Sequence, residues 1–249
     1  MVRDMKRITV FLTGLLLVLP CMGKGGSASY DVVVAGAGCG GYSAAVQAAR
    51  QGCRVLLIEE SDYLGGQMAA AGVGTMDEGT VRIRQNGIYK EFCDRVSEYY
   101  KSQGLVNNVC YWSVTSFSVE PHVAQQVIYD MIDDVNKAGK GHIDLMLLTK
   151  VTKVLKDGNR VTGVDLESGI SKKTARTVNC RILIDATEYG DVIPLTGARY
   201  MIAKHTSESI DRQSNVQCNT WTVILKEYKD GVPEFLKVKE KPKNYNQYE

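Results

Sequence analysis

Tyr30-Asp31-Val32-Val33-Val34-Ala35-Gly36-Ala37-Gly38-Cys39-Gly40-Gly41 runs into Tyr42-Ser43-Ala44-Ala45-Val46-Gln47-Ala48-Ala49-Arg50. After Gly52 follows Cys53-Arg54-Val55-Leu56-Leu57-Ile58-Glu59-Glu60. The opening run is short, apolar and β-branched, as a strand buried on both faces of a parallel sheet must be. Residues 42–50 are small and helix-compatible, and Cys53–Ile58 is a second buried strand. Strand, glycine turn, helix and strand make one βαβ unit in about thirty residues. Gly36, Gly38 and Gly41 have separate tasks in it. The first permits a tight turn out of the strand, the second lets backbone approach a diphosphate, and the third lets the helix pack on the sheet. The helix start, around Cys39 and Gly40, offers unpaired N–H groups and a positive dipole end. Glu59 lies 23 residues beyond Gly36, at a strand end where an acid can accept hydrogen bonds from a ribose.

The rest of the chain is consistent with a packed α/β protein. Of its 249 residues 44% are hydrophobic and 23% charged, enough apolar material for one large domain. The net charge of +2 gives no concentrated basic surface, so nucleic acid is not an expected partner. Arg3, Lys6 and Arg7 precede an apolar run, Ile8–Leu19, followed by Pro20 and small residues up to Ala28. That order reads as a signal peptide over 1–28, with export to the periplasm or outside the cell. The run would rise only about 18 Å as a helix, short of a membrane core of roughly 30 Å. Once the leader is removed, no membrane association is expected. Cys21 leaves open lipid attachment as an alternative.

The other cysteines, at 39, 53, 93, 110, 180 and 218, show no C-x-x-C spacing. His122, His142 and His205 are not grouped either, so no metal site is expected. The cysteines read as small buried residues, with a Cys93–Cys110 disulfide as the alternative. Helices are predicted over 88–102 and from Pro121 to a stop at Gly139. Strands are predicted at 143–148, 151–155, 161–166 and 175–184, the middle two joined through Asp157-Gly158. Residues 106–119 stay ambiguous. Arg82 and Arg84 are either contacts for an anionic substrate or solvated charges.

The fingerprint alone does not separate FAD from NAD. Two further segments favour FAD. Glu59-Glu60-Ser61-Asp62-Tyr63-Leu64-Gly65-Gly66-Gln67 and Asp185-Ala186-Thr187-Glu188-Tyr189-Gly190-Asp191 resemble motifs of the FAD-dependent oxidoreductases of the glutathione-reductase-like superfamily. Glu188 stands where glycine is usual. The resemblance runs from about residue 30 to 249, and the nearest group includes proteins labelled xanthan lyases. It implies a Rossmann-like FAD/NAD(P)-binding α/β fold: a parallel sheet with helices and an inserted antiparallel β-meander. It implies that Gly36, Ala37, Gly38, Cys39, Gly40 and Gly41 meet FAD, that Glu59 and Glu60 lie at its ribose, and that Gly65, Gly66 and Gln67 follow its diphosphate and ribityl chain. Val151 would face the adenine, and Ala186 and Thr187 would lie beside the first glycine loop.

The expected organisation is a leader at 1–28, an FAD-binding domain at 29–200 and the beginning of a substrate domain at 201–249. The pieces 215–225 and 241–245 read as the start of that second domain. Relatives continue well beyond this length, so an incomplete catalytic unit is expected. The expected function is flavin-mediated hydride or electron transfer on a small organic molecule. The alternatives are an inactive dinucleotide-binding fragment and a plain NAD-dependent dehydrogenase.

Overall fold

A computed structural model describes residues 28–107, 115–169, 174–202, 205–210, 213, 222, 226–241 and 243. Residues 1–27, Cys110, Cys218 and nearly all of 214–225 lie outside this set. The leader over 1–27, Cys110 of the alternative Cys93–Cys110 disulfide and most of the piece 215–225 therefore lie outside the described residues, and the expected second domain is described only in part.

Strand β1 (Ala28–Ala35) sits at the centre of a six-stranded sheet. It leads through the glycine turn into helix α1 (Cys39–Arg50) and then strand β2 (Arg54–Ile58). Helices α2 (Gly87–Ser102) and α3 (Pro121–Ala138) follow, then strands β3 (His142–Met146), β4 (Thr149–Asp157), β5 (Arg160–Ser168) and β6 (Thr174–Asp185). The sheet order is β3-β2-β1-β6-β5-β4. Strand β1 runs parallel to both β2 and β6, and β2 parallel to β3, whereas β4, β5 and β6 pair antiparallel. The meander is continuous with the parallel sheet rather than a layer of its own. Strand β6 pairs with β5 through residues 174–179 and with β1 through residues 178–185. Gly163 of β5 makes this close junction possible, because a Cβ there would lie 2.4 Å from the Val178 carbonyl oxygen.

The continuous apolar runs are explained by burial on both sides. Val32, Val34, Val55 and Leu57 pack against the three helices, with Ala45, Ala49, Phe92, Ile128 and Met131. Val33, Leu56 and Ile58 pack on the other face with Val164, Leu166 and Val178. Each such large side chain stabilises the fold by about 1.5–3 kcal/mol through removal from water. Pro121 opens α3 with its fixed φ, and Gly139 ends it in the left-handed region at φ 69°. A salt bridge of 2.8 Å between Arg50 and Glu91 ties α1 to α2.

Element boundaries shift slightly from those expected. Strand β3 stops at Met146 because Leu148 turns the chain at φ 51°. The connection at 72–87 contains a 3₁₀ turn, Val81–Gln85, and Thr75 bridges Ser118 from the ambiguous segment. After β6 come a short helix α4 (Ile193–Thr196) and a two-stranded ribbon, β7 (Met201–Ile202) with β8 (His205–Thr206). No helix among the described residues is long and apolar enough to cross a membrane.

Candidate functional site

The strand ends of β1, β2 and β6 converge on the glycine turn. The Gly36 N–H donates to the Ile58 carbonyl (2.8 Å), and the Ala186 N–H donates to that of Ala35 (2.8 Å). Gly36 adopts φ 90°, and a Cβ there would lie 2.4 Å from the Ala186 carbonyl oxygen and 2.7 Å from the Thr187 nitrogen. Gly41 is equally constrained, since its Cβ would fall 1.8 Å from the Gly36 carbonyl oxygen. Both glycines allow strand, turn and helix to close on one another. Helix α1 begins with no side-chain cap and no acid in its first turn. Its first N–H groups are thus available to an anion from outside the helix.

The second glycine loop is fastened to the first. The Gly65 N–H donates to the Ala37 carbonyl (2.9 Å), and Gly65 and Gly66 both take positive φ, 96° and 51°. This brings Gly66 against Gly38: a Cβ on Gly66 would lie 2.9 Å from the Gly38 Cα. Two bare stretches of backbone therefore face each other beside the start of α1.

Two carboxylates brace this arrangement. Glu59 Oε2 accepts from the Ala37 N–H (2.8 Å), while Oε1 accepts from the Ser61 N–H (2.9 Å). A carboxylate can accept about four hydrogen bonds, so Glu59 fixes the loop and retains capacity for a ligand hydroxyl. Asp185 is more fully engaged. Its Oδ1 accepts from the Thr187 N–H (3.1 Å) and hydroxyl (2.7 Å), and its Oδ2 from the N–H groups of Val192 and Ile193 (2.9 Å each). Thr187 Oγ1 in turn accepts from the Asp191 N–H (2.8 Å). The turn after β6 is thereby held across the glycine loop.

A cavity of about 590 Å³ opens on one side of the loop, lined by Gly36, Gly38, Glu59, Val151, Ala186 and Thr187. Glu60 and Glu188 also border it. A second cavity, of about 470 Å³, lies on the other side and is lined by Cys39, Gly40, Gln67, Met76, Glu78 and Tyr89. Ala37 is wholly buried, its N–H and carbonyl spent on the two loops. Ala37 and Gly41 line neither cavity. Gly65 and Gly66 form the saddle between the two.

The second cavity carries a charged cluster that sequence reasoning did not find. Arg84 Nε donates to both Glu78 oxygens (2.7 and 2.8 Å), its Nη2 contacts the same carboxylate and donates to the Thr115 carbonyl (2.6 Å), and the Tyr89 hydroxyl donates to Glu78 Oε1 (2.6 Å). The Glu78 side chain is only 7% exposed. Burial raises its pKa, but the hydrogen bonds from Arg84 and Tyr89 and the Arg84 charge outweigh burial and hold it below the usual range. Burial and the Glu78 hydrogen bond push the Tyr89 phenol far up, so it remains a donor. Arg84 is therefore neither a solvated charge nor a free anion contact. Arg82 is exposed. Desolvation of the Cys39 sulfur, although the residue as a whole is exposed, raises its thiol pKa together with the Glu188 charge. Among the described residues no group of His, Cys, Asp and Glu is arranged to hold a metal.

A model of a family described as FAD dependent oxidoreductase matches residues 31–248. An uncharacterized protein from the nifH2 5' region of Methanosarcina barkeri is 31% identical over 134 residues, 51% of this chain and 69% of the relative. The NADH:fumarate oxidoreductase of Klebsiella pneumoniae (strain 342) is 26% identical over 192 residues, covering 64% of this chain but 20% of that protein. Among solved structures, L-proline dehydrogenase from P. horikoshii is 16% identical with a TM-score of 0.48, covering 71% of this chain and 58% of that one.

Proposed function

This chain belongs to the FAD dependent oxidoreductase family, whose cofactor is FAD, and from that premise we propose that its glycine saddle holds the cofactor between the two cavities. The adenosine end occupies the cavity lined by Glu59, Val151 and Ala186, with Glu59, and Glu60 beside it, serving the ribose. The diphosphate crosses between Gly38 and Gly66, where the uncapped start of α1 meets it through the N–H groups near Cys39 and Gly40. The flavin end enters the cavity lined by Cys39, Gln67 and Tyr89. The observation that carries this reading is the saddle itself. The Gly38 and Gly66 backbones already touch, and a Cβ at Gly66 would collide with the Gly38 Cα at 2.9 Å, so a ligand chain can cross there only over bare backbone.

Bound flavin supplies hydride or electron transfer. The chain's own residues orient and shield it. Asp185 holds Thr187 and Ala186 against the first glycine loop, and Glu59 fixes Ala37 and Ser61. The Glu78–Arg84–Tyr89 cluster closes one wall of the second cavity with its charges satisfied internally. Tyr89 keeps its proton there and remains a donor. The substrate is read as a small organic molecule, and the basic and apolar residues at 1–28 support an exported location, with Cys21 lipidation as the alternative.

The test is titration of the 249-residue protein with FAD, followed by quenching of flavin fluorescence. Saturation near one equivalent is expected. The Gly38→Asp variant should keep its circular dichroism and lose binding, because φ there is −66°, which any residue adopts, while the new carboxylate enters the diphosphate path. Stoichiometric binding of NAD with none of FAD would overturn the assignment.

A further inference from the structure

Glu188, in the turn that follows β6, reaches the saddle. A Cβ built on Gly38 would lie 2.8 Å from Glu188 Oε1, and one on Gly66 would lie 2.4 Å from the same oxygen. One carboxylate oxygen therefore rests against both bare backbones, at the narrowest point between the cavities. The main chain beneath it is fixed, since Asp185 and Thr187 hold the turn on either side with five hydrogen bonds. The side chain is not fixed. Glu188 is exposed, and among the described residues it makes no hydrogen bond or ion pair that would resist rotation.

The electrostatic setting gives the carboxylate a reason to lie there. Helix α1 has neither a side-chain cap nor an acid in its first turn, so the positive end of its dipole has no partner of its own. A carboxylate next to a helix start is stabilised by the dipole. The Cys39 nitrogen is 3.6 Å from where a Gly66 Cβ would be, within the same small volume as Glu188 Oε1. The charge is also felt at the Cys39 thiol, whose pKa it helps to raise.

We propose that Glu188 is an internal competitor for the diphosphate position: a displaceable side-chain anion that occupies the saddle between Gly38 and Gly66 and weakens dinucleotide binding. This deepens the proposed function and rests on it. Entry of a diphosphate requires the carboxylate to rotate away, and the two negative groups repel each other where solvent is partly excluded. Affinity is then set by a difference between two anions for one site, and Glu188 acts as an affinity-determining residue rather than a ligand. Glu98, exposed on α2 and lining neither cavity, provides a charge control.

The experiment is FAD titration of the wild-type chain and the Glu188→Gln, Glu188→Gly and Glu98→Gln variants by isothermal calorimetry. Glu188→Gln should bind FAD about three- to tenfold more tightly, the range expected when one like charge is removed beside a helix start. Glu188→Gly, lacking the side chain, should gain at least as much, and Glu98→Gln should change little. Riboflavin, which has no phosphate, should bind wild type and Glu188→Gln equally. Weaker or unchanged FAD binding by Glu188→Gln, or an equal gain in Glu98→Gln, would overturn the competitor role. Failure of wild type to bind FAD at all would instead refute the cofactor assignment, so the two failures are distinguishable.

Discussion

The two cavities flanking the glycine saddle are built by different means. The first cavity is made of main chain: three strand ends meet there, and Glu59 and Asp185 spend their oxygens mostly on backbone N–H groups. The second cavity is made of side chains, with Arg84, Glu78 and Tyr89 bonded to one another from a 3₁₀ turn, a loop and a helix. A backbone-built site tolerates almost no added atom. A side-chain-built site tolerates replacement in proportion to the charge and burial of what is lost. The contrast predicts a graded series of effects.

The largest effect is expected at the closest backbone contact. Gly41→Ala would place a Cβ 1.8 Å from the Gly36 carbonyl oxygen and 2.8 Å from its carbon. Neither group can yield without moving the strand end or the helix. A loss of about 3 kcal/mol or more is expected, read as a drop in the urea midpoint or as insoluble protein. A wild-type midpoint would show that the turn is looser than this geometry requires, and the distinction between the cavities would fail. Asp185→Ala comes next. It strands the Val192 N–H, leaves the Ile193 N–H only its longer bond to the Gly190 carbonyl (3.2 Å) and frees Thr187, at about 2 kcal/mol. FAD affinity should fall with it, because Ala186 and Thr187 line the cavity proposed for the adenosine end. Asp185→Asn keeps one acceptor oxygen and should cost visibly less. Equal costs for the two variants would mean that hydrogen bonding does not hold the turn.

The same contrast decides what could be read from the sequence. Backbone constraints leave glycine at fixed spacing, so Gly36, Gly38 and Gly41 and the acid at Glu59 announced the first cavity. The strands on either side were legible because burial on both faces demands unbroken apolar runs. Helices α2 and α3 were legible from their apolar period and from Pro121 and Gly139. The continuity of the meander with the parallel sheet was not. It depends on β6 exchanging partners midway, and β-propensity carries no record of which neighbour a strand chooses. The Glu78 cluster was invisible for a similar reason. Residues 78, 84 and 89 share no helical or strand period, and only the fold of the intervening 3₁₀ turn brings them together. Asp185 was seen as part of a motif, but its task of holding four donors emerges only when the turn up to Ile193 is seen to curl back.

The smallest of these effects also gives the sharpest test, because it turns on charge alone. Glu78→Gln keeps the shape of the side chain and an acceptor oxygen, but removes the charge that pairs with Arg84. At neutral pH this should cost about 1–2 kcal/mol, less than loss of a fully buried ion pair, since the Arg84 side chain remains 24% exposed. The pH dependence then identifies the cause. Glu78 has its folded-state pKa lowered, with the Arg84 and Tyr89 hydrogen bonds and the Arg84 charge overcoming burial. A carboxyl lowered on folding contributes stability that is present above its unfolded pKa, about 4.3 for Glu, and is lost as pH falls through the folded value. The gap between wild type and Glu78→Gln should therefore be widest near neutral pH and narrow in acid, where protonated Glu78 and glutamine become near equivalents. Glu91 and Asp31 are also lowered, through their bonds to Arg50 and Arg54, and they titrate in both proteins, so their contributions cancel in the difference. Urea midpoints from about pH 7 to about pH 3 would measure it. A gap that stays constant with pH would mean that the cluster is held by shape rather than by charge, and the second cavity would then resemble the first.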